Sequence, residues 1–79
     1  MKVEVQLFAT LSGYRPAGVT GEGVILDVRD GTTVHDVVQL LKIPPGLDCM
    51  QVVNGHDAPS DQRLAEGDVL SLFPPLAGG

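Results

Sequence analysis

The chain has 79 residues, enough for one small domain built round a single core and too few for a second. Hydrophobic residues make up 43% of it but aromatic ones only 4%, with no Trp, so dense packing of Val and Leu has to supply the stability. Ten acids against five bases leave a net charge of −5, spread from Glu4 to Asp68 without forming a block, which excludes attraction to nucleic acid and favours basic protein surfaces.

Lys2 to Phe8 alternates, with Val3, Val5 and Leu7 on one face and Glu4 and Gln6 on the other, the pattern of a strand with one side buried. The alternation also leaves no apolar leader or membrane span there. Ala9 to Gly23 holds four glycines and Pro16 and reads as a long connection with a helical turn near Ala9 to Ser12. Gly23 to Val28 is a second strand, Val24, Leu26 and Val28 facing inward, closed by an Asp30-Gly31 turn. Thr33 then caps a helix, with Asp36 as its reciprocal partner, and Val34, Val37, Val38 and Leu41 form one apolar stripe along it. Pro44, Pro45 and Gly46 are expected to stop that helix soon after Lys42. Cys49 to Asn54 is a third strand, and Asn54-Gly55 gives it a tight turn into a short edge strand within His56 to Ser60. Leu64 stands alone in a polar run and is expected to plug the core under a loop. After a turn at Glu66-Gly67-Asp68, the last strand runs from Val69 to Phe73.

This order predicts an α+β fold, a β-grasp: a mixed sheet of four to five strands, one main helix on one face, and the first and last strands side by side at its centre. The other face is expected to be partly covered, its exposed apolar residues forming a docking surface. Residues 1–73 read as the domain and 74–79 as a flexible tail.

No side-chain constellation carries chemistry. His35 lies on the polar side of the helix start and His56 in a turn, with no metal-ligand spacing between them. Cys49 reads as a small core residue; as the lone cysteine it permits no internal disulfide, so a cytoplasmic location is expected. Ser12, Ser60 and Ser71 lack a nucleophile-elbow context, and Gly18 to Gly23 form no phosphate or dinucleotide fingerprint.

Chemistry is left to the C-terminus. Phe73-Pro74-Pro75-Leu76-Ala77-Gly78-Gly79 carries no side-chain charge and ends in a glycine carboxylate. Two prolines cannot extend a ladder, so they end the strand and stiffen the residues beyond it; Pro74 to Gly79 would reach about 20 Å from the fold. Gly78 and Gly79, having no side chain, would pass a channel too narrow for other residues. A frayed end would be polar, whereas this one keeps Phe73 and Leu76 on either side of the proline pair. A carboxylate is a poor electrophile, so reaction at Gly79 needs prior activation by an ATP-using partner, after which a sulfur or amine nucleophile displaces the nucleotide. The protein would supply positioning and the partner the reactive groups.

That ending, preceded by Leu64-Ala65-Glu66-Gly67-Asp68-Val69, resembles the small-subunit (MoaD) branch of the MoaD/ThiS sulfur-carrier family. Gly31-Thr32-Thr33-Val34, the Leu41 to Pro45 helix exit and Val53-Asn54-Gly55 fall where that family has them, so the resemblance covers nearly the whole chain. It implies a ubiquitin-like β-grasp and no bound cofactor or metal, with Gly79 adenylated by an adenylyltransferase like the ubiquitin-activating enzymes. A sulfurtransferase or other sulfur donor would supply the sulfur of a thiocarboxylate. The tail would then enter the large subunit of molybdopterin synthase, where the sulfur builds the dithiolene that binds molybdenum or tungsten. By the same resemblance Gly79 carries the sulfur, Gly78 gives clearance, and Phe73, Pro74, Pro75, Leu76 and Ala77 dock the tail, while Phe73 is equally suited to the domain's own core. Three other readings share the sequence: the carrier of thiamine thiazole synthesis, against which the Phe-Pro-Pro junction argues, a ubiquitin-like protein modifier, and an interaction module with an inert tail. The Ala9 to Gly23 connection is longer than in compact members of the family.

Overall fold

The computed structural model describes residues 1–14, 23–44 and 49–74. Five strands, β1 (Lys2–Leu7), β2 (Gly23–Asp27), β3 (Met50–Val53), β4 (His56–Asp57) and β5 (Val69–Phe73), form one sheet in the order β2-β1-β5-β3-β4. The pairs are antiparallel except β1 with β5, which run parallel at the centre. A 3₁₀ helix (Ala9–Tyr14) follows β1, and helix α1 (Val34–Leu40) packs on one face of the sheet.

The period-2 pattern decides which face is buried. Val3, Val5 and Leu7 of β1 and Leu70 and Leu72 of β5 point to the helix side and are at most 1% exposed. Val34, Val37 and Leu41 meet them from above, so the apolar stripe of the helix is in place, with Val38 at its edge. Leu64 fills the core from its loop as expected, at 5% exposure, and its N–H donates to the Thr32 carbonyl at 2.9 Å. Leu11 of the 3₁₀ helix is a further core plug that the alternating pattern gives no sign of.

The ends of α1 have separate causes. Thr33 and Asp36 form the complete reciprocal cap: the Asp36 N–H donates to Thr33 Oγ1 at 3.2 Å, and the Thr33 N–H donates to Asp36 Oδ2 at 3.0 Å. The Thr33 backbone N–H first, and the Thr33 side chain second, favour the charged carboxylate, so Asp36 titrates below its ordinary value. The N–H groups of Val34 and His35 donate to the Gln62 and Ser60 carbonyls. At the other end the prolines are not the stop. Lys42 takes a left-handed conformation at φ 60°, its N–H donates to the Gln39 carbonyl, and the Ile43 N–H reaches back to Val38. This double bond pattern closes the helix two residues before Pro44.

Several boundaries differ from the sequence reading. The 3₁₀ helix runs on to Tyr14, β2 stops at Asp27 with Val28 still buried beyond it, and β3 begins at Met50, which leaves Cys49 outside the strand and half-buried against the core. β4 has only two residues, and His56 is one of them rather than part of the turn. The turn itself is Asn54-Gly55, with φ of 51° and 84°. Arg15 to Glu22, within the long connection, lie outside the described residues, as do Pro45 and Gly46.

Candidate functional site

β5 is bonded on both sides, to β1 and to β3, and that pairing fixes the point from which Pro74 and the tail depart. The parallel ladder is extended by one step past β1, where the Phe8 N–H donates to the Leu72 carbonyl at 3.1 Å. Since Leu7 and Leu72 face the helix, Phe8 and Phe73 face the opposite side of the sheet. Their rings stack with centroids 4.5 Å apart and planes within 6° of parallel. Both are half-buried, so Phe73 is not a core residue; it belongs to the face away from the helix. Met50 pairs with Phe73 in the antiparallel register, shares that face and is 47% exposed. Phe8, Phe73 and Met50 thus form an apolar platform at the root of the tail, with Pro74 half-buried just beyond.

Phe8 was not among the candidates that the sequence offered. Part of the signal was present, because continuing the alternation of β1 by one residue puts Phe8 on the outer face; that it lies level with Phe73 is set by the register of β1 and β5, which the structure supplies. The turn behind it is tight: Ala9 is left-handed at φ 51°, and the Leu11 N–H donates to the Phe8 carbonyl at 3.0 Å.

The start of β5 is tied as firmly as its end. The Asn54 side chain donates to Asp68 Oδ1 and accepts from the Val69 N–H, both at 2.9 Å, while the Asn54 N–H donates to the Val69 carbonyl. Asp68 Oδ2 in turn accepts from the Ala65 N–H at 2.8 Å. Asn54 is therefore a clasp on β5 as well as a turn residue, which the Asn-Gly signal alone does not reveal.

Of the expected site residues, Phe73 and Pro74 are placed by the structure, and Pro75, Leu76, Ala77, Gly78 and Gly79 lie outside the described residues. No cluster of three or more His, Cys, Asp or Glu among the described residues could hold a metal ion, and no described helix is long and apolar enough to cross a membrane. Ser60 Oγ donates to the Gln51 side chain, outside any arrangement that would activate a nucleophile.

Comparison with known proteins adds to this geometry. Residues 5–79 match the model of the ThiS family. The crystal structure of SAMP1 from Haloferax volcanii is 31% identical over the whole of both chains, with a TM-score of 0.74. A chain of the complex between subunits 1 and 2 of molybdopterin-converting factor from Helicobacter pylori is 27% identical, again over 100% of each chain, with a TM-score of 0.61. A ubiquitin-like protein from Caldiarchaeum subterraneum is 21% identical over 99% of this chain and 100% of its own, with a TM-score of 0.55, and shows the fold alone. None of the curated proteins compared matches significantly.

Proposed function

This chain belongs to the ThiS family of ubiquitin-like β-grasp proteins, and from that premise we propose that it is the sulfur carrier of dithiolene formation in molybdopterin synthesis. At the coarser level it is a sulfur carrier or ubiquitin-like modifier of the ThiS/MoaD type. The observation that carries the finer reading is the tail root. A strand held on both sides ends in a stacked aromatic pair and a proline, so the point at which the tail begins is fixed beside one apolar platform. Such a platform suits a partner that must receive the same short tail in the same orientation each time.

In this reading the Gly79 carboxylate attacks the α-phosphorus of ATP held by an adenylyltransferase, and pyrophosphate leaves. Hydrosulfide from a sulfur donor displaces AMP to give a thiocarboxylate; where a sulfurtransferase persulfide attacks instead, a thiol then reduces the acyl disulfide to the same product. The tail enters a large synthase subunit, the thiocarboxylate sulfur bonds to a pyranopterin carbon, and water cleaves the resulting thioester, leaving the sulfur on the pterin and regenerating the carboxylate. The related chain from Helicobacter pylori, seen with subunit 2 of its converting factor, supports the choice of partner. This chain's own contribution is position: Phe73, Pro74, Pro75, Leu76 and Ala77 seat the tail, and Gly78 leaves the space through which Gly79 reaches the reactant.

The likeness to SAMP1, a small archaeal modifier protein, supports a second reading in which Gly79 ends on a lysine amine. The intact mass of the protein, produced in cells together with its activating enzyme, separates the two. One oxygen-to-sulfur exchange is the outcome expected of the carrier; isopeptide ladders would mark the modifier, and an unchanged mass would refute both. Conversion of the pyranopterin precursor by the thiocarboxylated chain plus a large subunit then tests the pterin assignment against thiazole synthesis.

A further inference from the structure

The sheet has two edges, and they are not alike. β4 at one side is two residues long and sits on its own tight turn, which leaves little to pair with. β2 at the other side is five residues long, and among the described residues its edge has no proline, lysine or bulge to discourage a further strand.

The hydrogen-bond phase of β2 follows from its first pair. Met1 and Val28 exchange both backbone bonds, each at 2.8 Å. In an antiparallel ladder bonded and non-bonded pairs alternate, so with the register Val3 to Leu26 and Val5 to Val24, the residues Leu26 and Val24 also bond to β1. Gly23, Ile25 and Asp27 therefore turn their N–H and C=O groups outward along the free edge. The Ile25 and Asp27 side chains lie on the sheet face away from the helix, and Ile25, at the centre, is 62% exposed.

Beside Ile25 runs a shallow groove lined also by Lys2, Glu4, Glu66 and Val69. Glu4 leans along it: its Oε2 accepts from Gln6 at 2.7 Å and lies 3.5 Å from where a Cβ on Gly23 would stand. Asp27, 77% exposed, adds a carboxylate 3.6 Å from the Met1 amine. Three acids, Glu4, Glu66 and Asp27, outnumber the two cations beside them, Lys2 and the Met1 amine, in a chain whose net charge is −5.

We propose that the β2 edge, centred on Ile25, is a docking site for an extended segment of a partner protein that carries an aliphatic side chain with Lys or Arg two residues to either side of it. The outward backbone groups pair with the segment as an added strand, Ile25 takes the aliphatic side chain on the sheet face away from the helix, and Asp27 and Glu4 on that face meet its cations. A second copy of this chain fits poorly. It would set two chains of charge −5 against each other, and a five-residue edge pair buries far less than the roughly 1,200 Å² of a stable interface. The free edge of β2 lies across β1 from β5, whereas the aromatic platform sits where β5 ends, so both can be occupied at once.

The test is titration of the full ¹⁵N-labelled chain with an acetylated, amidated lysine-threonine-valine-threonine-lysine pentapeptide, whose valine and lysines share one face when extended. The expected result is saturable shifts and slowed amide exchange at Gly23, Ile25 and Asp27, weakening as salt is raised. Ile25→Pro should lower the affinity at least about tenfold while keeping the thermal transition, because the N–H that it removes is not in the β1 ladder. Ile25→Lys, which keeps every backbone group, should lower it similarly should the proline disturb β2. Shifts centred on Phe8, Met50 and Phe73, unaltered affinity in both variants, absence of saturable binding, or self-association through β2 in place of peptide binding would each overturn the proposal.

Discussion

At Phe8 a side chain outside every regular strand stacks on the residue from which the proposed carrier tail starts. Its stack on Phe73 is worth about 1 kcal/mol beyond the area that it buries, a small part of the stability of such a domain. Phe8→Ala should therefore leave the protein folded, while removing half of the surface on which a partner seats the tail root. The expected outcome is a rise of about tenfold in the KM for adenylation with kcat little changed, since a lost docking contact weakens binding and leaves the chemistry alone. An unchanged KM would remove Phe8 from the site. Asp36 gives a prediction in pH. Its carboxyl, bonded by the Thr33 backbone and hydroxyl, titrates lower folded than unfolded, so its contribution is present above the ordinary carboxylate range and is lost as pH falls through the lowered folded value. Thermal melts should show a shallower acid decline for Asp36→Ala than for the wild type; parallel declines would show that the cap is not linked to protonation.

Among the elements, α1 shows what was legible in the sequence and what was not. Its start was readable because a capping box is local chemistry, three residues apart. Its stripe was readable because burial follows the helical period. Its end was misread because the prolines are the more visible signal, whereas the chain had already turned at Lys42, a residue with no preference for the left-handed region. Lys42→Gly should stabilise the domain by about 1 kcal/mol by removing that strain, an effect readable as a rise in the denaturation midpoint at unchanged m-value. A lower midpoint would show that the lysine side chain contributes more than the strain costs. The strands were legible by alternation, and the expected β-grasp put the first and last strands side by side at the centre, where they are. The stacked pair was not, because it depends on the register between two strands more than sixty residues apart, and no local pattern encodes register across a parallel pair. For the same reason the sequence left Phe73 equally suited to core and partner, and the structure assigns it to the face away from the helix.

For the whole molecule, domain and tail divide the work. Among the described residues the packed core ends with Leu72. Deleting Gly78 and Gly79 should therefore abolish sulfur transfer with the thermal transition intact, and an extension beyond Gly79 should do the same by blocking the carboxylate. Transfer retained by the shortened chain, measured as conversion of the pterin precursor, would refute Gly79 as the carrier. The central place of β5 has a consequence for biosynthesis. Until that strand has left the ribosome, β1 and β3 have nothing between them, and the halves of the sheet cannot join. A nascent chain that stalls before β5 thus yields two unjoined hairpins that proteases can digest. Closure of the body is in this way written into strand order, since the strand next to the arm is the one that joins the two halves.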